Sequence, residues 1–213
     1  MTDTKNKILD TAERLIASQG FSGTSLRQII AEAGVNLASV HYHFGSKEEL
    51  LDHVIARKVT AVNEDRLKRL QHLEHEAGLS PVPVEKVLSA FLEPMIPVGC
   101  RNPQFIQLMG RMQGEGLLQS IIAKHFQPTV GHFLKALRRS LPELSDAELH
   151  WRLQFMFGAM SRAVSGPAGF PTQGIQGDNP DFACLVRRLH AFLSAGLQAP
   201  ATQEVNAPEE VKQ

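Results

Sequence analysis

Cysteine is scarce: the chain has two in 213 residues, Cys100 and Cys184, far apart and without CxxC spacing. Neither a disulfide framework nor a zinc site is therefore expected. An excess of one charge is also missing, since 22 Lys and Arg balance 22 Asp and Glu. That excludes a polybasic tail protein, and any nucleic-acid partner has to be engaged by a local patch. No apolar run approaches the roughly 18 residues that cross a bilayer, and residues 1–10 are too polar for a signal peptide. The expectation is a soluble, cytoplasmic protein without a membrane partner. Strand signals are nearly absent, because Val, Ile and Thr do not cluster between turn residues and no clean apolar/polar alternation is sustained. A Gly-rich phosphate loop, a GxSxG elbow and a Cys/His nucleophile arrangement are lacking as well. We expect no enzyme, no cofactor and no metal.

Helical periodicity fills the chain, 43% of which is hydrophobic. Ile8, Leu9, Ala12, Leu15 and Ile16 share one helical face before a stop at Gly20. A second helix, capped by Thr24 or Ser25, turns Leu26, Ile29 and Ile30 inward and ends at Gly34. A third covers residues 37–44. Ser46-Lys47-Glu48-Glu49 then reads as a capping box opening a long fourth helix with Leu50, Leu51, Val54, Ile55, Val59, Val62, Leu67 and Leu70, broken at Gly78 and at Ser80-Pro81-Val82-Pro83. About five more helices follow, with starts at Asn102-Pro103, Gln127-Pro128, Ser145-Asp146-Ala147-Glu148 and Asn179-Pro180. Pro94 and Pro97 should end or kink the helix that begins near Val84. Residues 166–180 hold seven Gly or Pro and read as a long loop. The chain divides into residues 1–50, a three-helix unit; 51–199, a larger helical unit; and 200–213, a patternless tail expected to be disordered. Nine of eleven Phe and five of six Met lie after residue 90. A large apolar core or cavity thus belongs to the second unit.

Helices two and three, joined at Gly34-Val35-Asn36, have the length and spacing of a helix-turn-helix. Its second helix suits the major groove, about 12 Å wide. Asn36, Ser39, His41, Tyr42 and His43 form its polar side, with Leu37, Val40 and Phe44 inward. It carries no Arg or Lys, so charge must come from Arg27 before it and Lys47 after it. Pattern alone leaves open that two short helices joined by a Gly turn are only a packing unit.

Thr24-Ser25-Leu26-Arg27-Gln28-Ile29, Ala33-Gly34-Val35 and the run from Val40-His41-Tyr42-His43-Phe44-Gly45 to Ser46-Lys47-Glu48-Glu49-Leu50 resemble the N-terminal signature of the tetracycline-repressor (TetR/AcrR) family of bacterial transcription regulators over residues 5–55. The resemblance implies an all-α homodimer with a three-helix DNA-binding domain and a divergent ligand domain that dimerises through its last two long helices. It implies phosphate contacts from Tyr42 and Lys47 and from Thr24 or Ser25, which suits the anion affinity of a helix N-terminus. His41, where many relatives carry another aromatic, departs from the pattern. Ser39 and His41 are base-reading candidates, and His43 is less so because it can pack beneath the next helix.

In the second half Phe91, Met95, Phe105, Met109, Met112, Phe126, Phe133, Trp151 and Phe155 recur at helical spacings. Most such residues are core; the implied ligand cavity makes these nine pocket candidates, Met being adaptable at irregular apolar sites. Arg111, Gln113, His125 and Arg162 are possible polar anchors. Gly158, Ala159, Ala163, Ala191 and Ala195 would allow close helix approach at a dimer interface. His72 and His75 read as a solvated helix face rather than metal ligands. The function expected is a homodimeric repressor that binds a palindromic operator and is released by an apolar small molecule, with the fourth helix as the one element touching both domains and Trp151 as reporter of ligand binding. A ligand carrier or interaction protein with a non-functional helix-turn-helix, favoured by the neutral charge, and an activator stay open.

Overall fold

The first apolar stripe behaves as its spacing predicts: helix α1 (Thr2–Gln19) buries Ile8, Leu9, Ala12, Leu15 and Ile16. The computed structural model describes residues 2–164 and 181–201, and no strand occurs among them. The expected loop over residues 166–180, the helix start at Asn179-Pro180 and the tail beyond residue 201 lie outside the described residues.

Helix α2 (Leu26–Ala33) is capped by Ser25, whose side chain accepts from Gln28 N–H, and closes at Gly34 in the left-handed conformation, φ 64°. Helix α3 (Leu37–Phe44) turns Val40 and Phe44 inward. The capping box forms as expected at the start of α4 (Lys47–Ala77): Ser46 Oγ accepts from Glu49 N–H, and the Glu49 carboxylate accepts from Ser46 N–H at 2.9 Å. Pro94 separates α5 (Val84–Leu92) from α6 (Met95–Arg101), and Pro103 opens α7 (Pro103–Gly114). After α8 (Leu118–Ile121) the chain makes a π-helical turn, Ile122–Phe126, that feeds α9 (Gln127–Ser140). Helix α10 (Asp146–Val164) starts at Ser145, whose hydroxyl accepts from Glu148 N–H. Helix α11 (Phe182–Gln198) starts with the Asp181 side chain accepting from Cys184 N–H.

Two apolar cores result. One joins α1, α2, α3 and the first half of α4, and it also takes in Phe105, Leu108 and Met112 of α7. The other gathers the end of α4 with α5, α9, α10 and α11 around Leu88, Phe91, Phe133, Leu137, Met156 and Leu193. Helix α4 spans both, contributing Leu50 to Val59 to the first and Leu70 to the second. It is not alone in touching both units, because α7 packs along α1. The expectation of a single connecting element is corrected accordingly. The cause is the apolar face of α7, whose Phe105, Leu108 and Met112 join the core built on α1.

Among the described residues no helix is long and apolar enough to cross a membrane.

Candidate functional site

Helices α2 and α3 stand against α1, and Tyr42 of α3 faces solvent. Tyr42 is 76% exposed there, an unusual position for a large aromatic ring. Ser25 and Arg27 are exposed on α2, and Asn36 is exposed at the turn. The side chains of Ser39 and His41 lie outside the described residues. His43 is half-buried, its ring edge-on to Tyr42 and tilted on Phe44, as its weaker candidacy implied. Lys5, which sequence reasoning missed, brings its ammonium to 5.9 Å from the Phe44 ring at the end of α3.

Two expected phosphate contacts are corrected by the geometry. Thr24 is buried, and its hydroxyl donates to Gly20 O at 2.8 Å; the exposed helix-capping hydroxyl is that of Ser25. Lys47 donates to Phe21 O at 2.8 Å and Thr24 O at 2.9 Å, with its ammonium 4.1 Å above the Phe21 ring. Placed at the first position of α4, its long side chain reaches two carbonyls of the α1–α2 loop, the first of which also accepts from Thr24 N–H, and the charge of the donor strengthens these bonds. The same loop is gripped from the other side by Glu115, which accepts from Phe21 N–H at 2.8 Å, Ser22 N–H at 2.9 Å and the Ser22 hydroxyl. Burial opposes the charged form of Glu115, but the bonds from Ser22 and Phe21 and the nearby Lys47 charge outweigh it, and its pKa is held below 4.5. Arg111 adds a bond to Ser18 O at 3.2 Å. The helix-turn-helix is thus fastened to the C-terminal end of α7. Nothing in the sequence near Glu115 signals this, since its partners lie more than ninety residues away.

A second fastening joins the π turn to α4. Asp52 meets Lys124 Nζ and His125 Nε2, each at 2.7 Å. Burial raises the Asp52 pKa, and the bonds from Lys124 and His125 more than offset that, leaving it below its ordinary value. Asn63 donates to His125 O at 2.7 Å.

Between these fastenings lies a mainly apolar cavity of about 120 Å³ walled by α4, α5, α6, α7, the π turn, α9 and α10. Phe91, Met95, Phe105, Met109 and Phe126 line it, five of the nine pocket candidates, with Gln113 among the suggested anchors. The other four are corrected. Met112 is fully buried in the core shared with α1, and Phe133 packs edge-on to Phe91 at 4.9 Å in the second core. Trp151 and Phe155 point to solvent, 59% and 67% exposed. Arg111 and His125 are occupied at the fastenings, and Arg162 is exposed and does not line the cavity.

Arg66 is the wall residue that sequence reasoning missed. It is 1% exposed, donates through Nε to Phe91 O at 2.7 Å and through Nη1 to Asn63 Oδ1 at 3.0 Å, and lies 4.1 Å from the Phe91 ring centre. A signal existed: positions 59, 62, 66 and 70 share one helical face, and the other three are Val, Val and Leu.

The outer sides of α10 and α11 carry Trp151, Phe155 and Phe192, the last 70% exposed, with Gly158, Ala191 and Ala195 exposed between them. Trp151 and Phe155 stack with centroids 6.0 Å apart. Ala159 and Ala163 are instead half-buried, Ala159 against the second core and Ala163 facing α11 and α6, so these two are corrected as interface candidates. Arg152 locks the pair of helices together, donating to Leu197 O, Ala199 O and Pro200 O at the end of α11 while paired with Glu148.

Comparison with known proteins gives concordant results. The family described as bacterial regulatory proteins, tetR family, matches residues 8–54, and the tetracyclin repressor-like C-terminal domain matches residues 89–196. The HTH-type transcriptional regulator LmrA of Bacillus subtilis is 46% identical over 63 residues, 29% of this chain and 30% of its own length. A transcriptional repressor of Mycobacterium tuberculosis is 28% identical over 162 residues, covering 75% of this chain and 76% of its own. The first of the curated relatives are matched over about a quarter to a third of their length. Crystal structures of TetR-type regulators from Shewanella and Rhodococcus share the fold, with TM-scores of 0.61 and 0.60 at 21% and 19% identity, covering 89% and 91% of this chain and 95% and 93% of theirs.

Proposed function

Because the chain belongs to the TetR family of bacterial regulatory proteins, we propose that it is a DNA-binding transcription regulator, a homodimeric repressor whose operator is palindromic and whose release is driven by a small apolar molecule. The observation that carries this is the outer face of α3, where Tyr42 stands in solvent on a helix-turn-helix held from behind by Lys47 and Glu115. Exposed Ser25, Arg27, Asn36 and Tyr42 border the duplex, joined by Ser39 and His41 from the same helix. Tyr42, Ser25 and Arg27 suit backbone contact, which positions without specifying.

The two fastenings supply the release mechanism. Helix α7 lines the cavity with Phe105, Ile106 and Met109 and holds the α1–α2 loop through Glu115; the π turn lines it with Ile122 and Phe126 and holds α4 through Asp52. A ligand that favours a different spacing of these elements shifts the separation of the two α3 helices in the dimer. We expect coupling of roughly 10- to 100-fold, about 1.4 to 2.7 kcal/mol, acting equally in both directions. The dimer forms through Trp151, Phe155, Gly158, Ala191, Phe192 and Ala195.

Selection from a random duplex library tests the reading. Enrichment of an inverted repeat with half-site centres about one helical turn or slightly more apart is the expected result. Failure to enrich any sequence would favour a ligand carrier with a non-functional helix-turn-helix.

A further inference from the structure

We propose that Arg66 makes the cavity selective for an amphiphile with a carboxylate head, its guanidinium receiving the head and the surrounding aromatic and Met side chains receiving the tail. The inference rests on the effector reading above and sharpens it from an apolar molecule to an organic acid.

Arg66 is the one charged residue in the wall of a cavity that is lined mainly by Phe, Met, Ile and Val side chains, with Gln113 and Ser161. Its two hydrogen bonds go to a carbonyl and an amide oxygen, Phe91 O and Asn63 Oδ1, and among the described residues no carboxylate pairs with it. The bond to Phe91 O caps a free carbonyl at the end of α5 and the ring of Phe91 shields one face of the cation, yet neither supplies a negative charge. A guanidinium carries five N–H donors, so three remain after these two bonds. Burial alone lowers its pKa to about 10, which leaves it charged at neutral pH. A buried cation without an anion is costly, and a cap for α5 does not require one. A carboxylate entering the cavity would supply the missing charge, and its two oxygens match the planar fork of the guanidinium.

The tail has a direction to run. Gln113, Ile122, Val130, Phe157 and Ser161 belong both to the cavity and to a wider cleft that opens beside it. An acid with its head at Arg66 therefore extends past Ile122, Val130 and Phe157 into a cleft edged by Gln119, Gln127 and Gln154. Arg66 is also the first link of a chain of bonds, through Asn63 to His125 O, and His125 in turn holds Asp52 near the start of α4. A head group that draws on Arg66 thus pulls on the fastening between the π turn and α4.

The test is calorimetric titration of the full chain with hexanoate, octanoate and decanoate, each beside its methyl ester. At least one acid should bind the wild type about tenfold or more tightly than its ester, as a charge-assisted hydrogen bond requires. In Arg66→Met, which keeps the volume and removes the charge, acid and ester should bind alike or the ester better. Arg66→Lys keeps the charge, and preference for the acid should persist in weakened form. Equal binding of acid and ester to the wild type, or an acid preference that survives Arg66→Met, overturns the proposal while leaving an apolar effector intact. If neither series binds, the effector reading itself falls and this inference with it.

Discussion

Lys47 and Tyr42 are close in sequence and opposite in work. Lys47 spends its charge on Phe21 O and Thr24 O, whereas Tyr42 spends its surface on solvent. Lys47→Ala should therefore lower the melting temperature, losing about 1 to 2 kcal/mol with two bonds to a charged group. Tyr42→Ala should leave stability within about 0.5 kcal/mol yet weaken binding to all DNA sequences alike. Thermal melts and binding titrations of the two variants check this contrast. Glu115 adds a pH signature. Its folded pKa is depressed, so its contribution is complete above the ordinary value of 4.5 and is lost as pH falls through the folded value. Urea titrations should show wild-type stability falling more steeply below pH 4.5 than that of Glu115→Gln; parallel curves would remove Glu115 from the fastening. Arg66 shows how a residue can be readable and still be passed over. Its place on the Val59, Val62, Leu70 face is visible in the sequence, but the absence of an anionic partner is a property of the folded chain only.

Elements were legible wherever local chemistry sets them. The Ser46 capping box, the Ser25 cap and the Gly34 stop are encoded within four residues of where they act. Gly34 has φ 64°, and nothing lies within 4 Å of where a Cβ would stand. Gly34→Ala should thus cost about 1 to 2 kcal/mol from backbone conformation alone, measured by chemical denaturation, with no clash to relieve. The π turn is a different case. Ile122–Phe126 has no local signature, and its form follows from closing Phe126 over Arg66 while Lys124 and His125 reach Asp52. Such turns recur at functional sites because they re-aim side chains within a helix. The swap of Trp151 and Phe155 from expected cavity to surface has a related cause. Periodicity reveals that a helix has an apolar stripe, and α10 has apolar residues on two sides, one for the core through Met156 and one left outward.

At the scale of the molecule, the sequence shows two units and the long helix between them but not the second bridge, α7, because its partners on α1 and the α1–α2 loop are distant in the chain. The outward aromatics of α10 and α11 are where two copies would meet. Phe192→Glu should give a monomer by light scattering and weaken operator binding, since each half-site then binds without its neighbour. Trp151, the only tryptophan, sits on this face rather than at the cavity, so its emission should shift to shorter wavelength on assembly and respond little to ligand. The proposed function is tested most directly by one measurement, fluorescence anisotropy of a labelled duplex from the region upstream of the protein's own gene, titrated with the protein in excess competitor DNA at several salt concentrations. It predicts saturable binding that survives the competitor, falls linearly in log affinity with log salt as phosphate contacts require, and is lost in Tyr42→Ala at unchanged melting temperature. Binding no tighter than to random duplex would contradict it.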